Sequence, residues 1–176
     1  MLTPRDEVLR GGKLAVGGEV WPYLRGDCWI VSSPALCVRS GVQLDGDEAD
    51  VTRIETVLFR DDAPATTLPG KGLRSALAWV FSEHRERLSL GTRASLPVRC
   101  AGVVLDALHL GRFAALVGDG DSVEVVSGKV PVKVGRGSGV TPFVLLRAPT
   151  ARMTLAAMVA GLAPVEDLCS LARRAA

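Results

Sequence analysis

The sequence predicts an α+β fold: a mostly antiparallel sheet with two helices packed on one face and a C-terminal helical hairpin. Three observations predict it. Residues 96–149 read as a strand (96–105), a short helix (107–117) and a meander of strands (123–126, 130–134 and 141–146). Upstream, Leu73, Ala76, Leu77, Val80, Phe81, His84 and Leu88 recur at the i, i+3, i+4, i+7 spacing of one helix face. After Thr150 the chain is rich in Ala, Met and Leu, as a helical tail would be. Residues 1–12 are expected to form a mobile arm, 13–149 a single domain and 150–176 the helical hairpin.

Composition sets the outer limits. With 48% hydrophobic and 23% charged residues in 176, the chain buries the core of one ordinary domain and is not disordered. A net charge of +2 excludes a uniformly basic nucleic-acid coat. No apolar run approaches the roughly 20 residues that span a bilayer, so no membrane contact is expected. The opening Met-Leu-Thr-Pro-Arg-Asp-Glu has no apolar leader segment, which points to a cytoplasmic protein with reduced thiols.

Taken in order, two short β-favouring runs, 28–31 and 35–38, flank Ser32-Ser33-Pro34 and predict a hairpin. Cys28 and Cys37 on its arms are placed to pair only in an oxidising compartment. The acidic cluster at 45–50 lacks the glycine and the final glutamate of a calcium loop, and reads as a solvated turn. Residues 51–59 alternate as a strand does. The helix from 73 onward closes at Gly91. The central helix, with Leu110, Phe113, Ala114 and Val117 on one side, ends at Gly118, and Asp119-Gly120-Asp121 turns the chain. Ser127-Gly128-Lys129 reads as a tight turn, and Pro131 marks 130–134 as an edge strand. In the tail, Thr150 is the expected N-cap of a helix over 151–160. Pro164, Glu166 and Asp167 begin a second helix, and Arg173-Arg174 close it.

No motif carries catalysis. Gly70-Lys71-Gly72 precedes a helix, where amide groups attract anions, but it lacks the spacing of a nucleotide-binding loop. Gly135-Arg136-Gly137-Ser138-Gly139 leads into a strand, not the helix that a dinucleotide fingerprint opens. Cys100, Asp106 and His109 lie close in sequence, yet no oxyanion-hole motif accompanies them. The four cysteines include no C-x-x-C, and His84 and His109 lie far from any cysteine pair, so neither metal nor cofactor is expected. Two sets of residues remain as candidate contact surfaces. Lys71, Arg74, Arg85, Arg87, Arg112 and Arg136 form a candidate set of phosphate contacts for DNA, which require positive charge and no sequence motif. Met153, Leu155, Met158, Val159, Leu162, Leu168 and Leu171 are the apolar residues of the tail, and they imply burial against a partner or a second copy.

Gly102-Val103-Val104-Leu105-Asp106, the following helix, the polar turn at 119–121 and the strands 123–126, 130–134 and 142–149 together resemble a βαβββ half-domain of bacterial DNA polymerase sliding clamps. The resemblance implies a non-enzymatic, clamp-like, DNA-associated accessory protein of DNA replication, acting as an oligomer through phosphate-backbone contacts. The alternative is a structural assembly protein, for instance a viral or particle component, whose arm and tail hold neighbouring subunits. An enzyme ranks third.

Overall fold

The computed structural model describes residues 21–25, 27–33, 36–39, 58–86, 95–134, 137–158, 164 and 166–176, with the backbone alone for 21–39 and 132–134. In chain order its elements are β1 (Trp21–Arg25), β2 (Asp27–Ser33), β3 (Leu36–Arg39), β4 (Thr66–Pro69), α1 (Gly70–Glu83), β5 (Pro97–Cys100) and β6 (Val103–Asp106). They continue with α2 (Ala107–Ala114), β7 (Ser122–Val134), β8 (Gly137–Arg147), β9 (Ala151–Ala156) and α3 (Leu168–Arg174). Seven strands form one antiparallel sheet in the order β1-β2-β3-β9-β8-β7-β4, and β5 and β6 pair separately. The α+β class therefore holds, and so does the hairpin expected around residues 32–34, formed by β2 and β3.

Alternation along the strands decides what each face of the sheet meets. Val123, Val125, Val144, Leu146, Ala151 and Met153 share one face and pack in a single core with Leu73, Leu77 and Val80 of α1, Leu110 and Phe113 of α2, and Leu168 and Ala172 of α3. Phe113, Leu110 and Leu77 are at most 1% exposed. Each such side chain contributes about 1.5–3 kcal/mol by leaving water. On the opposite face, Phe143 and Leu145 are also buried, and the segment 58–62 is tied there. Arg147 donates to the carbonyls of Arg60 (2.9 Å) and Asp62 (3.0 Å), and Arg152 donates to that of Leu58 (3.2 Å). Arg152 also lies over the Phe59 ring and Arg60 over that of Phe143. Cover on both faces explains why Phe143–Leu146 is an unbroken apolar run and not an alternating one.

The structure corrects several expectations. The first arm of the tail hairpin is strand β9, with β3 and β8 as its neighbours; only the second helix, α3, forms. Hydrogen-bonding partners on both sides outweigh the helix propensity of Ala, Met and Leu. Thr150 caps no helix: its hydroxyl donates to the Leu116 carbonyl at 2.7 Å. The strand over 96–105 is two strands, β5 and β6, joined at Ala101 (φ 48°) and Gly102 (φ 80°), the left-handed pair of a tight hairpin turn. No turn interrupts 127–129, because β7 runs unbroken from Ser122 to Val134. Gly128 is needed there for another reason: a Cβ would stand 2.7 Å from the Phe143 ring across the ladder. Leu58 and Phe59 sit in a turn and bend, not a strand, and residues 1–12 and 51–57 lie outside the described residues.

Helix starts follow the chemistry of exposed amides. Asp106 accepts from Leu108 N at 3.0 Å and so caps α2, and Asp167 accepts from Ser170 N at 2.8 Å and so caps α3. Helix α1 follows Pro69 and has no side-chain cap. Instead Gly70 N donates to the Asp121 carbonyl (2.8 Å) and Lys71 N to that of Asp119 (3.3 Å). Two of the amides that an anion would need are thus occupied by the 119–121 turn. Gly70 and Gly72 serve close packing, since a Cβ at either would run into the carbonyl oxygen of Gly118 or Ala172 respectively.

Candidate nucleic-acid interface

The sheet is not uniformly wide. β4 pairs with β7 only at Ser122–Val125, through Thr66↔Val125 to Pro69↔Ser122. β9 pairs with β8 only from Phe143 to Arg147, and one further bond runs from Ala157 N to the Pro142 carbonyl at 2.8 Å. β7 and β8 nonetheless stay paired far beyond these limits, from Lys129↔Pro142 to Val134↔Gly137. Past Pro142, among the described residues, β7 and β8 have only each other. The result is a two-stranded ribbon extending about 20 Å from the sheet at ~3.3 Å per residue. Pro131 falls in this stretch, where its missing N–H removes no bond to a neighbouring strand on the open side, so the expectation of an edge is met locally.

The ribbon is chemically one-sided. Lys129 and Lys133 lie in it, Arg136 follows, and no acidic residue occurs between Glu124 and Glu166. Lys129 and Pro131 are exposed, and Val140, opposite Pro131, is 62% exposed. The exposed residues of the ribbon thus include no carboxylate. Sequence reasoning named Arg136, which lies outside the described residues, and missed Lys129 and Lys133. The available signal was the absence of Asp and Glu across a stretch read as two ordinary strands.

The other predicted cations are dispersed. Lys71 is exposed in the first turn of α1, beside Asp119 and Asp121. Arg74 is spent internally: one guanidinium nitrogen reaches the Val117 carbonyl at 3.4 Å and another pairs with the Asp119 carboxylate. Arg85 is exposed just past α1, between the exposed Glu83 and Glu86. Arg112 closes the last turn of α2, where its charge suits the helix dipole. Arg87 lies outside the described residues. Among the described residues, positive and negative side chains alternate at the end of α1, and α2 contributes Arg112 alone.

The described tail residues lie in the core or pack partly buried against it. Met153 (5% exposed) and Leu168 (0%) belong to the core, and Leu155 and Leu171 pack against it. Met158 is half-buried, and its N–H donates to the Val104 carbonyl at 2.9 Å. Val159 and Leu162 lie outside the described residues. The sheet and α1 cover the apolar tail, so the burial it implied is supplied within the chain for these residues.

Catalytic arrangements do not assemble among the described residues. Asp106 is committed to capping α2 and also accepts from Leu96 N at 3.3 Å, His109 is exposed, and Cys100 is buried beside Cys169. His84 lies at the C-terminal end of α1, half-buried, its N–H bonded to the Val80 carbonyl at 3.1 Å. A groove of about 520 Å³ between α1 and α3, lined by Ser75, Trp79, Glu166, Leu171 and Arg174, is open and brings no acid–base pair to a common point. Among the described residues no group of three or more His, Cys, Asp or Glu is placed to hold a metal ion. No described helix is long and apolar enough to cross a membrane. No family model, curated protein or solved structure matches the chain.

Proposed function

We infer that the chain is a non-enzymatic, DNA-associated accessory protein that meets the phosphate backbone of a duplex through the β7–β8 ribbon. One observation carries this reading: a two-stranded ribbon stands clear of the sheet and carries lysines but no carboxylate. A two-stranded ribbon fits the major groove of B-form DNA, and lysines release counterions on meeting phosphates. The clamp-like variant of the reading rests on the sequence resemblance alone: β7, β8 and β9 are neighbours, whereas β6 pairs with β5 apart from their sheet. Oligomerisation belongs to that variant.

The same residues have a second reading. Lysine and proline on an open strand protect it from pairing with another chain. An open edge also favours the assembly alternative, in which a strand of a second copy completes the sheet. Binding of a labelled duplex, followed by anisotropy at several salt concentrations, separates the three. For DNA association, Lys129→Gln with Lys133→Gln weakens binding and lowers the salt slope by about two, roughly one for each lysine replaced. No binding of the unaltered protein at low salt overturns it. Unchanged binding with new aggregation assigns the lysines to edge protection, and ordered oligomers without DNA favour assembly.

A further inference from the structure

Cys100 ends β5 and Cys169 is the second residue of α3. Their Sγ atoms lie 3.6 Å apart although the residues are 69 positions apart in sequence. Both are free thiols, 0% and 6% exposed. The surrounding backbone already holds the two elements together: Arg99 N donates to the Glu166 carbonyl at 2.8 Å, and Arg99 and Asp167 form a parallel bridge. A disulfide has an S–S bond of about 2.05 Å, so closure needs an approach of about 1.5 Å. That distance is within reach of side-chain torsion and a small shift of α3. No third ligand joins the pair among the described residues, which leaves thiol–disulfide chemistry and not metal binding.

The two thiols are not equivalent. The hydrogen bond with Cys100 holds the Cys169 thiol down to about 7, with help from the Ala101 backbone N–H and the Arg173 charge, while burial and Asp167 work against it. The same bond pushes Cys100 above the ordinary thiol range, and burial and the charges of Cys169 and Asp167 push in the same direction. Cys169, the more exposed of the two at 6% against 0%, is therefore assigned as the nucleophile and Cys100 as the thiol that resolves it.

We propose that Cys100 and Cys169 are a peroxide-sensitive pair whose closure to a disulfide fastens α3 to β5. In the first step the Cys169 thiolate attacks one oxygen of hydrogen peroxide. An S–O bond forms, the O–O bond breaks, and the departing hydroxide takes a proton to leave as water. In the second step the Cys100 sulfur, giving up its proton, attacks the sulfenic sulfur of Cys169. The S–S bond forms, and the hydroxyl leaves with that proton as a second water. Two thiols lose two electrons and hydrogen peroxide gains them. The inference is independent of any contact with DNA.

The test uses the full chain, reduced and then treated with stoichiometric hydrogen peroxide. After alkylation and trypsin digestion, peptide 100–112 is expected joined to peptide 153–173, lighter by two hydrogens and separable by dithiothreitol. The Tm of the oxidised protein is expected above that of the reduced one. The link persists in a Cys28→Ser, Cys37→Ser background. In Cys100→Ser, dimedone labels Cys169; in Cys169→Ser, Cys100 stays unlabelled. Two alkylated thiols after peroxide, or Cys169 as sulfinic acid beside a free Cys100, overturn the proposal. Preferential dimedone labelling of Cys100 overturns the assigned roles.

Discussion

Gly72 of α1 lies directly against the backbone carbonyl of Ala172 in α3, so close that no Cβ fits between them. A backbone carbonyl cannot rotate aside as a side-chain tip can. Gly72→Ala therefore separates the two helices, although alanine is favoured in a helix by about 1 kcal/mol. The expected net loss is about 1–3 kcal/mol, the usual cost of overpacking. Urea unfolding measures it, and Trp79, which lines the groove between α1 and α3, reports local displacement by its fluorescence. Unchanged stability would show that the helices do not meet here.

The β5–β6 turn asks an alanine to adopt a left-handed conformation, φ 48°, which costs about 1 kcal/mol for a residue with a Cβ. Ala101→Asn, the residue favoured at that turn position, is expected to raise stability by about 0.5–1 kcal/mol. Gly102→Ala, at φ 80°, is expected to lower it. Opposite signs at adjacent positions in thermal unfolding are the signature. A destabilising Ala101→Asn would contradict the turn.

Asp106 satisfies two amides, Leu108 N at 3.0 Å and Leu96 N at 3.3 Å. Asp106→Ala leaves both without this acceptor and is expected to cost about 1 kcal/mol or more, whereas Asp106→Asn retains most of the capping. Chemical denaturation of the two variants side by side distinguishes a capping role from a simple charge effect.

Arg147 reaches the carbonyls of Arg60 and Asp62, and its Nε lies 2.9 Å from the Glu124 carboxylate. Its side chain is only 13% exposed, so solvent screens these contacts weakly. Arg147→Met removes the charged donors to the 58–62 segment, at about 1.5–3 kcal/mol for bonds to a charged group. Hydrogen exchange is expected to accelerate at residues 58–62 and to change little in α1. Uniform acceleration would mean that Arg147 supports the whole sheet and not this segment.

A chain ending at residue 149 is expected not to fold. It lacks β9, the shared neighbour of β3 and β8, and it lacks Met153, Leu168 and Ala172 of the core. Loss of cooperative unfolding and of near-ultraviolet circular dichroism marks this outcome. A cooperatively folded fragment would show that β8 needs no partner at that edge.

Helix α1 was legible because Leu73, Ala76, Leu77 and Val80 all face the core, so helical periodicity and burial coincide. The Asp167 cap and the Arg173-Arg174 ending of α3 were legible for a related reason: both are local electrostatics at helix ends. β9 was hidden by its composition. Its alternation of Ala151, Met153 and Leu155 against Arg152 and Thr154 is present, but it sits at the head of a longer apolar run. The β5–β6 turn was hidden because Ala-Gly lacks the asparagine that usually announces it. The candidate interface was the least legible part. Lys129 becomes a surface feature only where β4 and β9 stop and β7 and β8 continue, and strand lengths across a sheet are set by partners distant in sequence.

The register between β3 and β9, Val38 opposite Ala151, has a consequence for synthesis on the ribosome. The three N-terminal strands emerge first but join the sheet only after β9 clears the exit tunnel. At ~5–20 residues per second, that interval is about 10 s. During it β1, β2 and β3 exist without the strand that will close their inner edge. The nascent chain thus spends seconds with a ready-made template for mispairing, and a chaperone that engages residues 21–39 would act during that interval.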